Sequence, residues 1–167
     1  MTALGDRVYG AVANQPELYR SSPDGQSWTK VGAVPISNIL IGWRGKLFSS
    51  EGSKVVYTTD EGQSWQPVFD VGGAALSGQS RFFISGDTLV FSHVANRRIY
   101  YSTDDGITFD TIPAPYETGA GFFRLRAFGN TFVLYIGNGE NIYVSKNRGQ
   151  QWLKIPMPGI SVNSAID

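Results

Sequence analysis

Two carboxylates stand side by side before a glycine in the stretch YSTDDGITF, residues 101–109, and such a pair could do three kinds of work. Asp104 and Asp105 could exchange protons with a substrate, ligate a cation, or hold a turn. A calcium loop of the EF-hand type with Gly106 at its sixth position needs oxygen ligands where Tyr101 and Thr103 stand and an acid where Ile112 stands, so the cation reading fails. Proton transfer needs a carboxylate tuned by burial or by a close partner, which nothing in the spacing supplies. Arginines are the other candidates for chemistry. Arg44 follows Trp43, Arg81 precedes Phe82, and FFRLRAF carries Arg124 and Arg126. Converging on a channel, they could grip a carboxylate, a sulfate or an acidic loop, with Trp43 or Phe82 as a flat apolar face. The plainer alternative, and the preferred one, is that each points outward or pairs with a carboxylate such as Asp87.

Other features carry less. His93 has no second histidine to share a metal and no serine or cysteine motif beside it, and the chain has no cysteine. GNGEN, residues 137–141, lies between strand patterns and reads as a hairpin turn, not a phosphate loop. Arg97 and Arg98, at a hairpin tip, suit an acidic partner but read as solvated charges. Two glycine- and proline-rich connections, 69–80 and 112–121, are candidate contact loops, the second presenting Tyr116 between prolines.

These residues sit in a chain of 167 residues that is 41% hydrophobic and 13% aromatic, enough for one domain with a real core. Fourteen basic residues balance fourteen acidic ones, so nucleic acid is not an expected partner. There is no signal-peptide pattern and no apolar run that would span a membrane, so the expectation is a complete soluble protein, or one exported by an assembly route.

The opening stretch has three relatives: YRSSPDGQSW (19–28), YTTDEGQSW (57–65) and VSKNRGQQW (144–152). Aligned on Gly25, Gly62, Gly106 and Gly149, they recur about every 40 residues and end on Trp28, Trp65, Phe109 and Trp152. About 20 residues before each lies a tight turn leading into an alternating apolar run: GDRVYGAV, RGKLFSS, GDTLVFSHV and GNTFVLYIG. Each unit divides into four short strands, and no useful helical period appears. Four antiparallel units repeated in this way predict an all-β fold, a small β-propeller of four four-stranded blades. The blades are expected at approximately 1–35 plus 160–167, 36–73, 74–117 and 118–159. The first unit keeps only MTAL where an inner strand belongs, and GISVNSAID (159–167) is the expected donor of that strand, closing the ring. The competing arrangement has two chains exchanging ends.

The pattern Ser/Thr-x-Asp-x-Gly-x-Ser/Thr-aromatic, read at Thr58, Asp60, Gly62, Ser64 and Trp65 and at Ser102, Asp104, Gly106, Thr108 and Phe109, resembles the Asp-box, or bacterial neuraminidase repeat. The first unit departs from it, with Ser21 and Asp24 around Pro23, and the fourth has Ser145 and Asn147. The resemblance implies that the box is a structural turn away from any catalytic face. Asp104 should then cap its own turn, with Asp105 only solvated. The resemblance also makes sialidase the enzyme to test. That activity would require three arginines on a substrate carboxylate, a tyrosine nucleophile with a glutamate partner and an acidic proton donor. Here Glu17, Glu51, Glu61, Glu117 and Glu140 fall in turns, hairpin starts or linkers. The expectation is a non-catalytic structural or interaction module without metal or cofactor. It would contact protein partners in a larger assembly, such as a phage decoration, fibre or tail part. A glycan-binding lectin is the alternative and a sialidase-like hydrolase the third.

Overall fold

The computed structural model describes residues 1–12, 15–35, 39–76, 81–115, 123–136 and 141–157; the proposed C-terminal closing strand, Tyr116 and the GNGE turn lie outside them. Among the described residues there is no helix. The first blade comprises β1 (Thr2–Leu4), β2 (Arg7–Ala11), β3 (Glu17–Ser21) and β4 (Trp28–Ala33). The second comprises β5 (Ile41–Trp43), β6 (Lys46–Glu51), β7 (Lys54–Thr58) and β8 (Gln66–Asp70). β9 (Arg81–Ser85), β10 (Thr88–His93), β11 (Arg98–Ser102) and β12 (Asp110–Pro113) form the third. The fourth holds β13 (Phe123–Phe128), β14 (Thr131–Ile136), β15 (Asn141–Ser145) and β16 (Leu153–Pro156).

Every sheet is an antiparallel meander in chain order, and the inner strands line up with β1 beside β5, β5 beside β9 and β9 beside β13. The first blade corrects one expectation. MTAL is not an incomplete remnant: Thr2–Leu4 is itself the inner strand, paired Thr2 to Tyr9 and Leu4 to Arg7. Thr2 also accepts a hydrogen bond from the Gly42 amide of the next blade at 2.7 Å. A three-residue strand carries too little alternation to be seen in sequence.

Because side chains alternate across a strand, each sheet offers one apolar face backward and one forward. In β10, Leu89 and Phe91 face the second blade while Val90 faces the fourth. The core is therefore divided into the seams between blades. Tyr9, Leu18, Val34 and Leu47 fill the first seam, with Trp65 packed against them. Phe48, Val55, Leu89, Phe91 and Tyr100 fill the second with Phe109. Val90, Ile99, Ile112, Leu125, Phe132 and Leu134 fill the third with Trp152. The box aromatics Trp65, Phe109 and Trp152 thus each pack onto the blade before their own.

Candidate functional site

In a meander, the β1–β2 and β3–β4 turns of a blade fall at one end and the remaining connections at the other. The first end carries the boxes. In the second blade Thr58 Oγ1 donates to Asp60 Oδ1 at 2.6 Å and accepts from the Gly62 amide at 3.0 Å. Asp60 in turn accepts from the Ser64 amide at 3.0 Å and from its hydroxyl at 2.6 Å. The third blade repeats this with Ser102, Asp104, Gly106 and Thr108, the Thr108 hydroxyl donating to Asp104 at 2.6 Å. These bonds favour the ionised carboxylate, so the Ser64 hydroxyl above all lowers the pKa of Asp60 to about 2, and Thr108 does the same for Asp104, also to about 2. An acid held ionised this firmly is a turn cap, not a proton donor. In the fourth blade Asn147 accepts from the Gln151 amide at 2.9 Å, while Ser145 accepts from the Gly149 amide at 2.7 Å.

The first blade is built differently. Its cap is Ser22 with Asp24, and Ser27 donates to Ser22 Oγ at 3.1 Å. Ser21, expected in that role, is buried and accepts from the Val8 amide at 3.2 Å. Pro23 occupies the place of the box acid, and with Asp24 one position later the capping hydroxyl is that of Ser22 instead of Ser21.

The residue between the box acid and its glycine does more than the sequence suggested. Glu61, Asp105 and Arg148 all take left-handed backbone, with φ of 57°, 63° and 53°. Glu61 turns back onto the first blade, where Tyr9 donates to it at 2.8 Å and Arg20 at 2.7 Å, and the arginine holds its pKa below the usual carboxylate value. Asp105 is not merely solvated, as the sequence reading had it. It pairs with Arg44 of the second blade, and Lys46 donates to its carbonyl at 2.9 Å. Arg148 donates through Nε to Asn130 at 2.7 Å, within its own blade.

These contacts decide where most of the candidate binding residues stand. Arg44 spans Asp105 and Asp87, the latter at 3.3 Å, and lies 5.0 Å above the Trp43 ring. Trp43 is only 5% exposed and packs on Phe48, so it offers no open flat face. Phe82 stacks on Phe91 with ring centres 4.6 Å apart. Arg126 is exposed and weakly bonded to its neighbour's carbonyl at 3.4 Å. Arg81 and Arg124 lie on inner strands β9 and β13, while their side chains fall outside the described residues. The geometry brings Arg44 to Asp87 as the sequence reading preferred, and it does not gather the described arginines around one point.

The opposite end carries the β2–β3 turns and the connections between blades. Arg97 and Arg98 stand here, exposed, on the rim of a cleft of about 330 Å³ completed by Asn96, Pro113 and Ala114. Arg98 pairs across the strands with Pro113, and the Arg97 carbonyl accepts from Ala114 at 3.0 Å, so the cleft walls are fixed. Asn96 reaches the Val71 carbonyl of the second blade at 3.0 Å. Among the described residues neither arginine has a carboxylate partner. His93, at the end of β10, is buried, and burial pushes its pKa down; the Ala75 carbonyl pulls the other way without meeting hydrogen-bond geometry. Among the described residues no three of His, Cys, Asp and Glu lie together as a metal site would need.

Residues 56–67 match the family model described as BNR/Asp-box repeat, which covers the second box. The solved structure titled "Crystal structure of Nidogen/Laminin Complex" superimposes at a TM-score of 0.64 and 7% identity, over 89% of this chain and 58% of that one. "Streptogramin B lyase structure" does so at 0.64 and 13%, over 96% and 54%. The fold is a β-propeller. "YCF48 bound to D1 peptide" is similar at 0.62 and 18%, over 91% of this chain and 50% of that one. Among curated proteins, vacuolar protein sorting/targeting protein 10 of Fusarium vanettenii is 27% identical over 71 residues, which are 42% of this chain and 5% of that protein. The chain thus spans about half the length of those three solved chains and a small part of the curated relative.

Proposed function

We propose that this propeller is a non-catalytic interaction module that takes an acidic protein segment into the cleft formed by Asn96, Arg97, Arg98, Pro113 and Ala114. The observation that carries this reading is the contrast between the two ends. At the box end, Asp60 and Asp104 are engaged in caps, and Glu61, Asp105 and Arg44 in ion pairs. At the other end two neighbouring guanidiniums line a fixed concavity without a carboxylate among the described residues. Guanidiniums in that setting favour bidentate carboxylate contacts, with Pro113 and Ala114 as apolar floor. Two of the similar structures are titled as complexes with a protein or a peptide, which supports a partner-binding use by analogy of fold. A place in a larger assembly, such as a phage decoration, fibre or tail part, is the setting proposed for it. The glycan-binding alternative loses the aromatic it relied on, since Trp43 is buried.

An oligoglutamate peptide is the probe, titrated calorimetrically at low and high salt. Binding that weakens with salt and falls at least tenfold in an Arg97→Glu, Arg98→Glu double variant is expected. Equal binding by that variant would remove the cleft from the proposal. Turnover of a fluorescent sialoside by the unmodified chain would overturn the non-catalytic reading.

A further inference from the structure

The two ends of the row of blades differ from its middle at matched positions. On the face each blade turns toward its predecessor, Leu47, Leu89 and Phe132 stand at corresponding places in β6, β10 and β14 and are 2%, 0% and 1% exposed. Val8, their counterpart in β2, is 37% exposed. On the forward face, Ile112 lies three residues after its box aromatic and is covered by Gly149 and Trp152 of the next blade. Ile155, three residues after Trp152, is 37% exposed. Ile142, which occupies the place of the fully buried Leu18, Val55 and Ile99, is only partly buried.

The box turns repeat the contrast. A Cβ on Gly62 would overlap the Ala33 carbonyl of the preceding blade, and one on Gly106 would come within 2.7 Å of Phe48. A Cβ on Gly25 would meet nothing within 4 Å. Trp28 is 43% exposed beside an apolar cleft of about 280 Å³, lined also by Met1, Gly10, Ala11, Val12 and Tyr19. Among the described residues, then, the box of the first blade has no host and the forward face of the fourth blade has no box seated on it.

We propose that the occupant is a second copy of this chain: the first blade of each copy docks on the fourth blade of the other, and two such contacts close a ring of eight blades. The argument is continuity with the three seams inside the chain, each formed by a box glycine and aromatic seated on the preceding blade. Trp28 and Ile155 are the two halves of a fourth seam of the same kind, and both remain exposed within one chain, so the four blades do not bring them together. A contact between unlike faces closes into a ring when its rotation allows. This uses the ends of the row and not the Arg97 and Arg98 cleft, so it goes beyond the partner reading above and is tested separately from it.

Light scattering on the purified chain should give twice 18.2 kDa. Trp28→Glu and Ile155→Glu should each fall to the single mass with unchanged β-sheet circular dichroism. Val8→Glu tests the same end face as Trp28→Glu should the latter not fold. Mixing Trp28→Glu with Ile155→Glu should restore a one-to-one dimer, because the intact Ile155 face of one variant meets the intact Trp28 face of the other. The Arg97→Glu, Arg98→Glu variant should keep the doubled mass. A single mass for the unmodified chain overturns the proposal, as does a doubled mass in both end-face variants. A mixture that stays monomeric overturns the head-to-tail geometry.

Discussion

The first and second boxes share the letters DGQSW or EGQSW, yet they do different work. In the second, the glycine lies against the preceding blade, Trp65 donates through Nε1 to the Ala33 carbonyl at 2.8 Å, and Glu61 clamps Arg20. In the first, the glycine faces open space, Trp28 is half exposed, and Asp24 bonds only within its own turn. The same local chemistry becomes a seam only when a blade stands behind it. The hydrogen bonds of a box shape its turn, while the glycine and the aromatic, helped by Glu61 in the second blade and Asp105 in the third, join it to its neighbour.

That contrast can be broken or sharpened by substitution, each variant made in the Ile155→Glu background so that a second copy has no face to dock on. Trp65→Ala should lower urea-denaturation stability by about 1–2 kcal/mol, part of the transfer value of a large side chain because Trp65 is partly buried, while Trp28→Ala should cost less than about 0.5 kcal/mol. Equal losses would deny the seam its role. Asp104→Ala should lower stability by about 0.5–2 kcal/mol, as other caps do, without changing binding at the Arg97 and Arg98 cleft. Loss of oligoglutamate binding at an unchanged melting temperature would contradict it.

Acid should reveal the same caps. Asp60 and Asp104 have folded pKa values near 2, below the ordinary 3.8, so their stabilisation is complete above about pH 4 and is lost as pH falls toward 2. Asp104→Asn should flatten the melting-temperature profile in that window, because Asn147 already makes the equivalent amide bond in the fourth blade. His93 contributes a separate loss at higher pH. Its folded pKa lies below 6.5, so its stabilisation weakens as pH drops through that value. The smallest effect is expected from Arg44→Met, which removes a half-exposed pair with Asp105. The melting temperature should drop slightly at low salt and match that of the parent in 1 M salt.

The repeat, the strand count and the box turns were readable because glycine and a terminal aromatic recur at fixed offsets and because alternation marks half-buried strands. The role of Asp105 was not readable, since its partner Arg44 lies 61 residues earlier and meets it only when two blades stand side by side. The burial of Trp43 is not legible either, because the face a strand residue takes depends on register, which pairs it here with Lys46 and seats it on Phe48. The use of Ser22 in place of Ser21 is equally silent in the sequence, because spacing to Gly25 does not tell which of two adjacent hydroxyls turns into the cap. The concavity beside Arg97 and Arg98 is not legible in the sequence, because the wall formed by Pro113 and Ala114 comes from another strand.

The most direct test of the claim that a box joins its blade to the one before it compares Gly62→Ala with Gly25→Ala by urea denaturation in the Ile155→Glu background. Both glycines have positive φ, 81° and 73°, so both variants carry the same left-handed strain of about 1–2 kcal/mol. Only Gly62→Ala also drives a methyl into the Ala33 carbonyl, and it should be the less stable of the two by about a further 1–3 kcal/mol. Equal destabilisation of the two variants would contradict the account.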